Sequence, residues 1–209
     1  MTFRTLNVTL LRHGLPEGEN CLRGSTDFPI TDVGLRQMES AVQVDASSFQ
    51  HIISSPLHRC LHFADRLAQR NKANLCVTKS WMEMNFGDWD GRPVDWLWQN
   101  DAGFRQFQEN PWQAQVPGGE QTREFDQRVS EAWAELVSET ENDGVLVVTH
   151  AGVMKQLLRQ IWRMPEDCTY LSAIALPYAA RIDISVYIDG DSVCPVVKWP
   201  SHCHPNKNI

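Results

Sequence analysis

The sequence predicts an α/β protein: a three-layer α/β/α sandwich on a mainly parallel central sheet, closed by a C-terminal antiparallel hairpin and carrying a lid-like insertion. Three observations predict it. Apolar runs at Leu6–Leu11, His51–Ser54 and Val145–Thr149 each lead, directly or after a loop, into a helical pattern. Ile182, Ile184, Val186 and Ile188 alternate with polar residues, and Asp189-Gly190-Asp191 then turns the chain into Val193–Lys198. Between residues 81 and 121 both periods break down.

Leu6–Leu11 carries no charge and reads as a buried strand. Arg12-His13-Gly14 follows it at once, the glycine allowing a sharp turn. Thr31 caps a helix with Leu35, Met38 and Val42 on one face. After the second strand, Ser55 reads as an N-cap and Pro56 as the first helical residue, which puts Arg59 in the first turn of a helix reaching about Arg70. Asn71–Asn74 is a loop and Leu75–Val77 a short edge strand. The 81–121 segment holds five tryptophans, three phenylalanines and Pro117-Gly118-Gly119, and predicts one or two short helices lying over the strand ends. Thr122 opens a long amphipathic helix (Phe125, Val129, Ala132/Trp133, Leu136) that stops near Asn142. Asp143-Gly144 launches the third strand, which ends in His150-Ala151-Gly152, and Val153–Trp162 follows as a helix. Ser172–Leu176 reads as a further strand.

Nothing divides the 209 residues, 42% of them hydrophobic and 22% charged, so one domain spanning 1–209 is expected, with the insertion at about 84–121. A net charge of −7 argues against nucleic acid or an anionic membrane as partner. No run reaches transmembrane length, and Met1-Thr2-Phe3-Arg4 is not a secretory start, so a cytoplasmic monomer or homodimer is expected. The six cysteines show no C-x-x-C pair and read as reduced thiols. His202-Cys203-His204 lies in a polar tail and reads as a disordered end rather than a metal site.

Parallel strands present their carboxyl ends on one side, where open α/β sheets bind ligands. Arg12, His13, Arg59 and His150 therefore converge, and an anionic ligand gives this acidic protein a reason to gather them. Guanidinium forks onto phosphoryl or carboxylate oxygens. The two histidines could bind a metal, shuttle protons or attack phosphorus. Two neighbouring arginines would repel a cation, so the nucleophile reading stands ahead, with no metal and no other cofactor. Transfer also needs an acid for the leaving oxygen. Glu83 is the best placed, among bulky apolar residues that raise its pKa, but spacing alone leaves Asp88 and Asp90 in contention.

The assembled pattern resembles the histidine phosphatase superfamily, which includes cofactor-dependent phosphoglycerate mutases. It runs through Leu11-Arg12-His13-Gly14, Gly24-x-x-Asp27-x-Pro29-Ile30-Thr31-x-x-Gly34, Ser54-Ser55-Pro56-x-x-Arg59, Glu83-x-x-Phe86-Gly87-x-Trp89-x-Gly91, Pro117-Gly118-Gly119-Glu120 and Thr149-His150-Ala151-Gly152. The resemblance implies a metal-independent phosphomonoesterase, with His13 phosphorylated, Glu83 as proton donor, and Arg12, Asn20, Arg59, His150, Ala151 and Gly152 binding a small phosphomonoester. Two features depart from the family pattern. Leu15-Pro16 stand where the family often has an acidic residue and Ser/Thr, which leaves Asn20 offset. Only Arg92 and Arg105 are cationic in 92–121, so a second acidic group is poorly neutralised and hydrolysis is favoured over mutase chemistry.

Arg23-Gly24-Ser25-Thr26-Asp27-Phe28-Pro29-Ile30-Thr31 looks most like the α-ribazole-5′-phosphate phosphatases of cobalamin assembly. The expected leaving group is then bulky, planar and nearly uncharged, stacked on Trp96, Trp98 or Phe104. The alternatives are a broad-specificity sugar or metabolite phosphatase, a phosphoglycerate mutase-like enzyme, and a non-catalytic phospho-ligand binding protein.

Overall fold

The computed structural model describes residues 3–18, 20–140 and 144–198. Six strands form one sheet in the order β3-β2-β4-β1-β5-β6. They are β1 (Phe3–Arg12), β2 (His51–Ser54), β3 (Asn74–Val77), β4 (Val145–Thr149), β5 (Arg181–Asp189) and β6 (Ser192–Lys198). The first four are parallel; β5 runs antiparallel to β1, and β6 to β5.

Alternation along the strands sorts side chains onto two faces. Val145 and Val147 join Leu6, Val8 and Leu10 in one core, covered by α5 (Thr122–Glu139) and α6 (Ala151–Ile161) through Phe125, Val129, Met154 and Leu157. Leu146, Val148 and Leu11 face the other way, against α1 (Asp32–Val42) and α2 (His58–Asn71) through Met38, Val42, Phe63 and Leu67. The insertion holds two short helices, α3 (Val94–Asn100) and α4 (Ala102–Glu109). Its Trp89, Leu97, Phe104 and Phe107 share the first core rather than forming their own.

Local chemistry sets the helix starts. The Thr31 hydroxyl accepts from Gly34 N at 3.0 Å, and the Glu124 carboxylate reaches back to the Gln121 amide at 2.9 Å. The expected start of α2 shifts. Leu57 is the cap residue, and the Ser55 hydroxyl accepts from Leu57 N at 3.3 Å just ahead of the helix. Ser172–Leu176 is not a strand: α7 (Thr169–Ala173) occupies its first part, begun where the Asp167 carboxylate takes the Thr169 amide at 2.7 Å. A helical turn here buries Tyr170, which overrides the β-like composition. The expected helix end at Asn142, Asp143 of the launching turn, and His202-Cys203-His204 lie outside the described residues.

Candidate active site

The β1–β4 register aligns Arg12 with Thr149, so the residues that follow the two strands, His13 and His150, meet with ring centroids 5.3 Å apart. The His13 amide closes on Thr149 O at 3.0 Å, and the Ala179 amide closes on His13 O at 3.1 Å. The histidine backbone is therefore held on both sides. Gly14 is required for a different reason than a turn. A Cβ there would lie 2.0 Å from Gly34 O, so the loop leaving β1 passes hard against α1.

His13 Nδ1 lies 2.8 Å from Gly14 O. A carbonyl only accepts, so Nδ1 carries the proton and Nε2 keeps its lone pair. Burial, reinforced by Arg59, pulls the His13 pKa down to about 3, and the ring is neutral at any ordinary pH. His150 is fully buried and its pKa is driven well below the usual value by desolvation and by Arg59. Its Nε2 contacts the Ser55 hydroxyl at 2.8 Å.

The two arginines are oriented by main-chain carbonyls. Arg59 gives Nη1 to Thr26 O at 2.8 Å and Nη2 to Gly24 O at 2.6 Å. That loop is itself gathered by the Asp90 carboxylate, which accepts from the amides of Gly24, Ser25 and Thr26 at 3.0, 2.6 and 3.3 Å. Arg12 gives Nη1 to Leu176 O at 2.5 Å and lies 4.3 Å above the Tyr178 ring. In both arginines Nε is buried and has no hydrogen-bond partner among the described residues. Buried charged donors rarely stay unmatched, and an anion bound between them would supply acceptors.

Glu83 is buried as well. Its carboxylate accepts from Gly152 N at 2.9 Å and Met84 N at 3.1 Å. Desolvation raises its pKa, outweighing the two amides and the arginines, which pull it down. A Cβ at Gly152 would lie 2.2 Å from Glu83 Oε1, so glycine is needed for this approach. The structure separates the three candidate carboxylates: Glu83 faces the cluster, Asp90 caps the 24–26 loop, and Asp88 is exposed. Among the described residues no group of three or more His, Cys, Asp or Glu is arranged to hold a metal ion.

The sequence-predicted residues Arg12, His13, Arg59, Glu83, His150 and Gly152 thus assemble, with Ala151 lining the cavity beside Glu83. Asn20 does not join them: it is exposed, and its amide donates to Asp95 at 2.8 Å. The cavity, of about 290 Å³, has walls from Leu22, Phe86, Phe107, Phe125, Tyr170 and Leu171. The expected Trp96, Trp98 and Phe104 are not among its lining residues. Phe104 is 1% exposed, edge-on to Trp89 and Trp98 in the core, and Trp96 lies under the Arg92 guanidinium. Arg23 and Lys155 also line the cavity, so cations do reach it, from outside the insertion. Sequence reasoning missed Ser55, Tyr178, Tyr170 and Lys155. Ser55 stood in the Ser54-Ser55-Pro56-x-x-Arg59 motif but was read only as a helix cap, and Lys155 had a signal in lying one helical turn after Ala151 on the same face.

A family model described as "Histidine phosphatase superfamily (branch 1)" matches residues 8–190. The chain is 28% identical over 184 residues to "Adenosylcobalamin/alpha-ribazole phosphatase" of Escherichia coli (strain K12), covering 86% of this chain and 91% of that one. It is 30% identical over 164 residues to "Probable phosphoglycerate mutase GpmB" of Salmonella choleraesuis (strain SC-B67), covering 77% and 76%. Among solved structures, the alpha-ribazole phosphatase from Shigella flexneri superposes with a TM-score of 0.77 at 25% identity, over 92% of this chain and 95% of that one.

Proposed function

This chain belongs to the histidine phosphatase superfamily (branch 1), and from that premise we propose a two-step phosphomonoester hydrolysis carried by His13 and Glu83. The chain is a phosphatase; the roles of its residues are the proposal. His13 Nε2 attacks phosphorus, the bond to the leaving oxygen breaks, and protonated Glu83 gives its proton to that oxygen. Water then attacks the phosphohistidine, its proton passing to the Glu83 carboxylate, and inorganic phosphate leaves neutral His13. Arg12, Arg59 and His150 hold the phosphoryl oxygens, with no metal needed for charge.

The observation that carries the reading is the His13 tautomer, with Nδ1–H committed to Gly14 O and the lone pair left on Nε2, in a ring under the influence of Arg59 and Arg12, whose buried Nε atoms have no partner among the described residues. Labelled substrate, quenched rapidly without acid, should leave an acid-labile, base-stable phosphoprotein. Label persisting in His13→Ala would remove His13 from the role.

The substrate we propose is α-ribazole 5′-phosphate, in cobalamin assembly. The similarity to the Escherichia coli and Shigella flexneri proteins supports it, as do the aromatic walls of Phe86, Phe107, Phe125 and Tyr170 beside Glu83, which suit a flat ring. A second reading, phosphoglycerate mutase-like transfer, draws on the Salmonella relative and on Arg23 and Lys155 at the same cavity. Comparing kcat/KM for α-ribazole phosphate, 3-phosphoglycerate and fructose 2,6-bisphosphate decides between them. Preference for a small polyanion would overturn the substrate and leave the phosphohistidine route standing. We place the whole chain in one catalytic domain, since frame and insertion share a core, and in the cytoplasm.

A further inference from the structure

We propose that Arg128, on α5, positions the Glu83 carboxyl, with Glu120 as its anchor; the inference rests on Glu83 being the proton donor. Glu83 stands in a stretch that, beyond the short 3₁₀ turn Lys79–Trp81, has no regular hydrogen-bonded structure of its own. Side chains must therefore fix it. The Arg128 guanidinium supplies most of that from one point. Its Nη1 donates to Ser80 O and Met82 O, each at 2.9 Å, and reaches Lys79 O at 3.5 Å, while Nη2 reaches Glu83 O at 3.5 Å. Its other edge is locked to the Glu120 carboxylate, Nε to Oε1 and Nη2 to Oε2, both at 2.8 Å.

Glu120 closes the far end of the stretch. Its Oε2 accepts from Asn85 N at 3.3 Å, and its own amide donates to Asn85 O at 2.8 Å. One bidentate ion pair thus brackets the backbone of Glu83 from Ser80 to Asn85. Both partners are largely withdrawn from solvent, with side chains 25% and 16% exposed. The Glu83 carboxylate then has to meet two amides, Met84 N on the clamped stretch and Gly152 N on α6. Displacing the stretch breaks that match and moves the acid off the leaving oxygen. Arg128 is not on the aromatic cavity of Phe86 and Tyr170; with Glu120 it lines a separate cavity, of about 420 Å³, behind the 79–85 stretch. It acts on Glu83 through the backbone, so it is a positioning residue. A planar five-donor fork is what the site uses, and an ammonium cannot reproduce it.

The test pairs leaving groups of different quality. Arg128→Gln should lose about 10–100-fold in kcat on an alkyl phosphate, the scale of a small misplacement, and clearly less on p-nitrophenyl phosphate, whose leaving group needs little protonation. On a Glu83→Gln background the same substitution should add almost nothing, because the group it positions is gone. Arg128→Lys should recover only part of the loss. It and Glu120→Gln carry the same comparison if Arg128→Gln folds poorly. Independently of turnover, hydrogen exchange at the Met84 amide should quicken in each variant. Equal loss on both leaving groups, or full additivity with Glu83→Gln, would overturn the proposal. Unchanged Met84 exchange would overturn it too. If the parent protein hydrolyses no phosphomonoester but Met84 exchange still responds, the proton-donor reading fails and the clamp survives.

Discussion

In the mechanism we propose, the phosphate side and the leaving-group side of the site are built differently. On the phosphate side each functional group stands at or just past a strand end, or in the first turn of the helix after one. Three are aimed by main-chain carbonyls, His13 by Gly14 O, Arg12 by Leu176 O, Arg59 by Gly24 O and Thr26 O, and His150 by the Ser55 hydroxyl. On the leaving-group side the walls come from separated stretches: Leu22, Phe86, Phe107, Phe125 and Tyr170-Leu171. They meet by packing. Carbonyls fix charge with little tolerance, whereas a packed wall can change shape without disturbing the charges. Chemistry and selectivity are therefore separable here, and Glu83 is the residue that borders both.

The largest expected effect falls at that border. Glu83→Gln should reduce kcat by about 10²–10⁴-fold on substrates with poor leaving groups, the range of a positioned acid–base group, with a smaller loss on p-nitrophenyl phosphate. Gly152→Ala should show the same leaving-group dependence, because its methyl would sit 2.2 Å from the carboxylate oxygen. Equal losses across leaving groups would return the acid role to another residue. Next comes the wall itself. Phe86→Ala should lower kcat/KM for a bulky aromatic leaving group by on the order of tenfold while sparing phenyl phosphate, and Trp98→Ala should change neither. Sensitivity at Trp98 instead would move the selective surface to the outside of the insertion.

The pH dependence sharpens the contrast with smaller effects. Glu83 is held above its ordinary 4.5, so its acid form persists beyond the usual carboxylate range, and kcat on a poor leaving group should fall as pH climbs through the raised value. That limb should vanish in Glu83→Gln. For stability the signs are opposite. Below 4.5 Glu83 is protonated folded or unfolded; above it the unfolded chain ionises first, so Glu83 costs stability as pH rises to its folded pKa. His13 takes up a proton near 6.5 when unfolded but only at about 3 when folded, so its contribution is lost as pH falls between those values. Melting temperatures of the parent, Glu83→Gln and His13→Gln across pH 3–8 test both. Last, dialysis against EDTA should leave the rate unchanged, the arginines already supplying positive charge. A loss restored by one divalent ion would break the whole reading of the phosphate side.

The same division decides what was legible in the sequence. Arg12, His13, Arg59 and His150 could be gathered because apolar strands and a parallel sheet dictate where their ends lie. The insertion was readable as a break in periodicity, with one or two short helices where the structure has two. Spacing alone left Glu83, Asp88 and Asp90 equivalent; only packing shows that one caps a loop and another faces solvent. Trp96, Trp98 and Phe104 misled because aromatic content says nothing about which face a helix turns inward. Asn20 lies near enough in sequence to invite a role, yet its amide is committed to Asp95. Ser172–Leu176 has strand-like composition, but Tyr170 needed a helical turn to reach the core. Tyr178 carried no sequence signal at all, because its place depends on β5 pairing with β1.

The Asp90 carboxylate has a consequence for folding order. It meets the Gly24 amide across a separation of 66 residues, and Gly24 in turn fixes Arg59. Contacts of such range close after local helices have formed. A refolding chain would regain its helical signal with Arg59 still unaimed, and competence to grip a phosphate would return only once the insertion had docked. The pocket whose residues the sequence pattern gathers most readily is thus completed only when the insertion has docked.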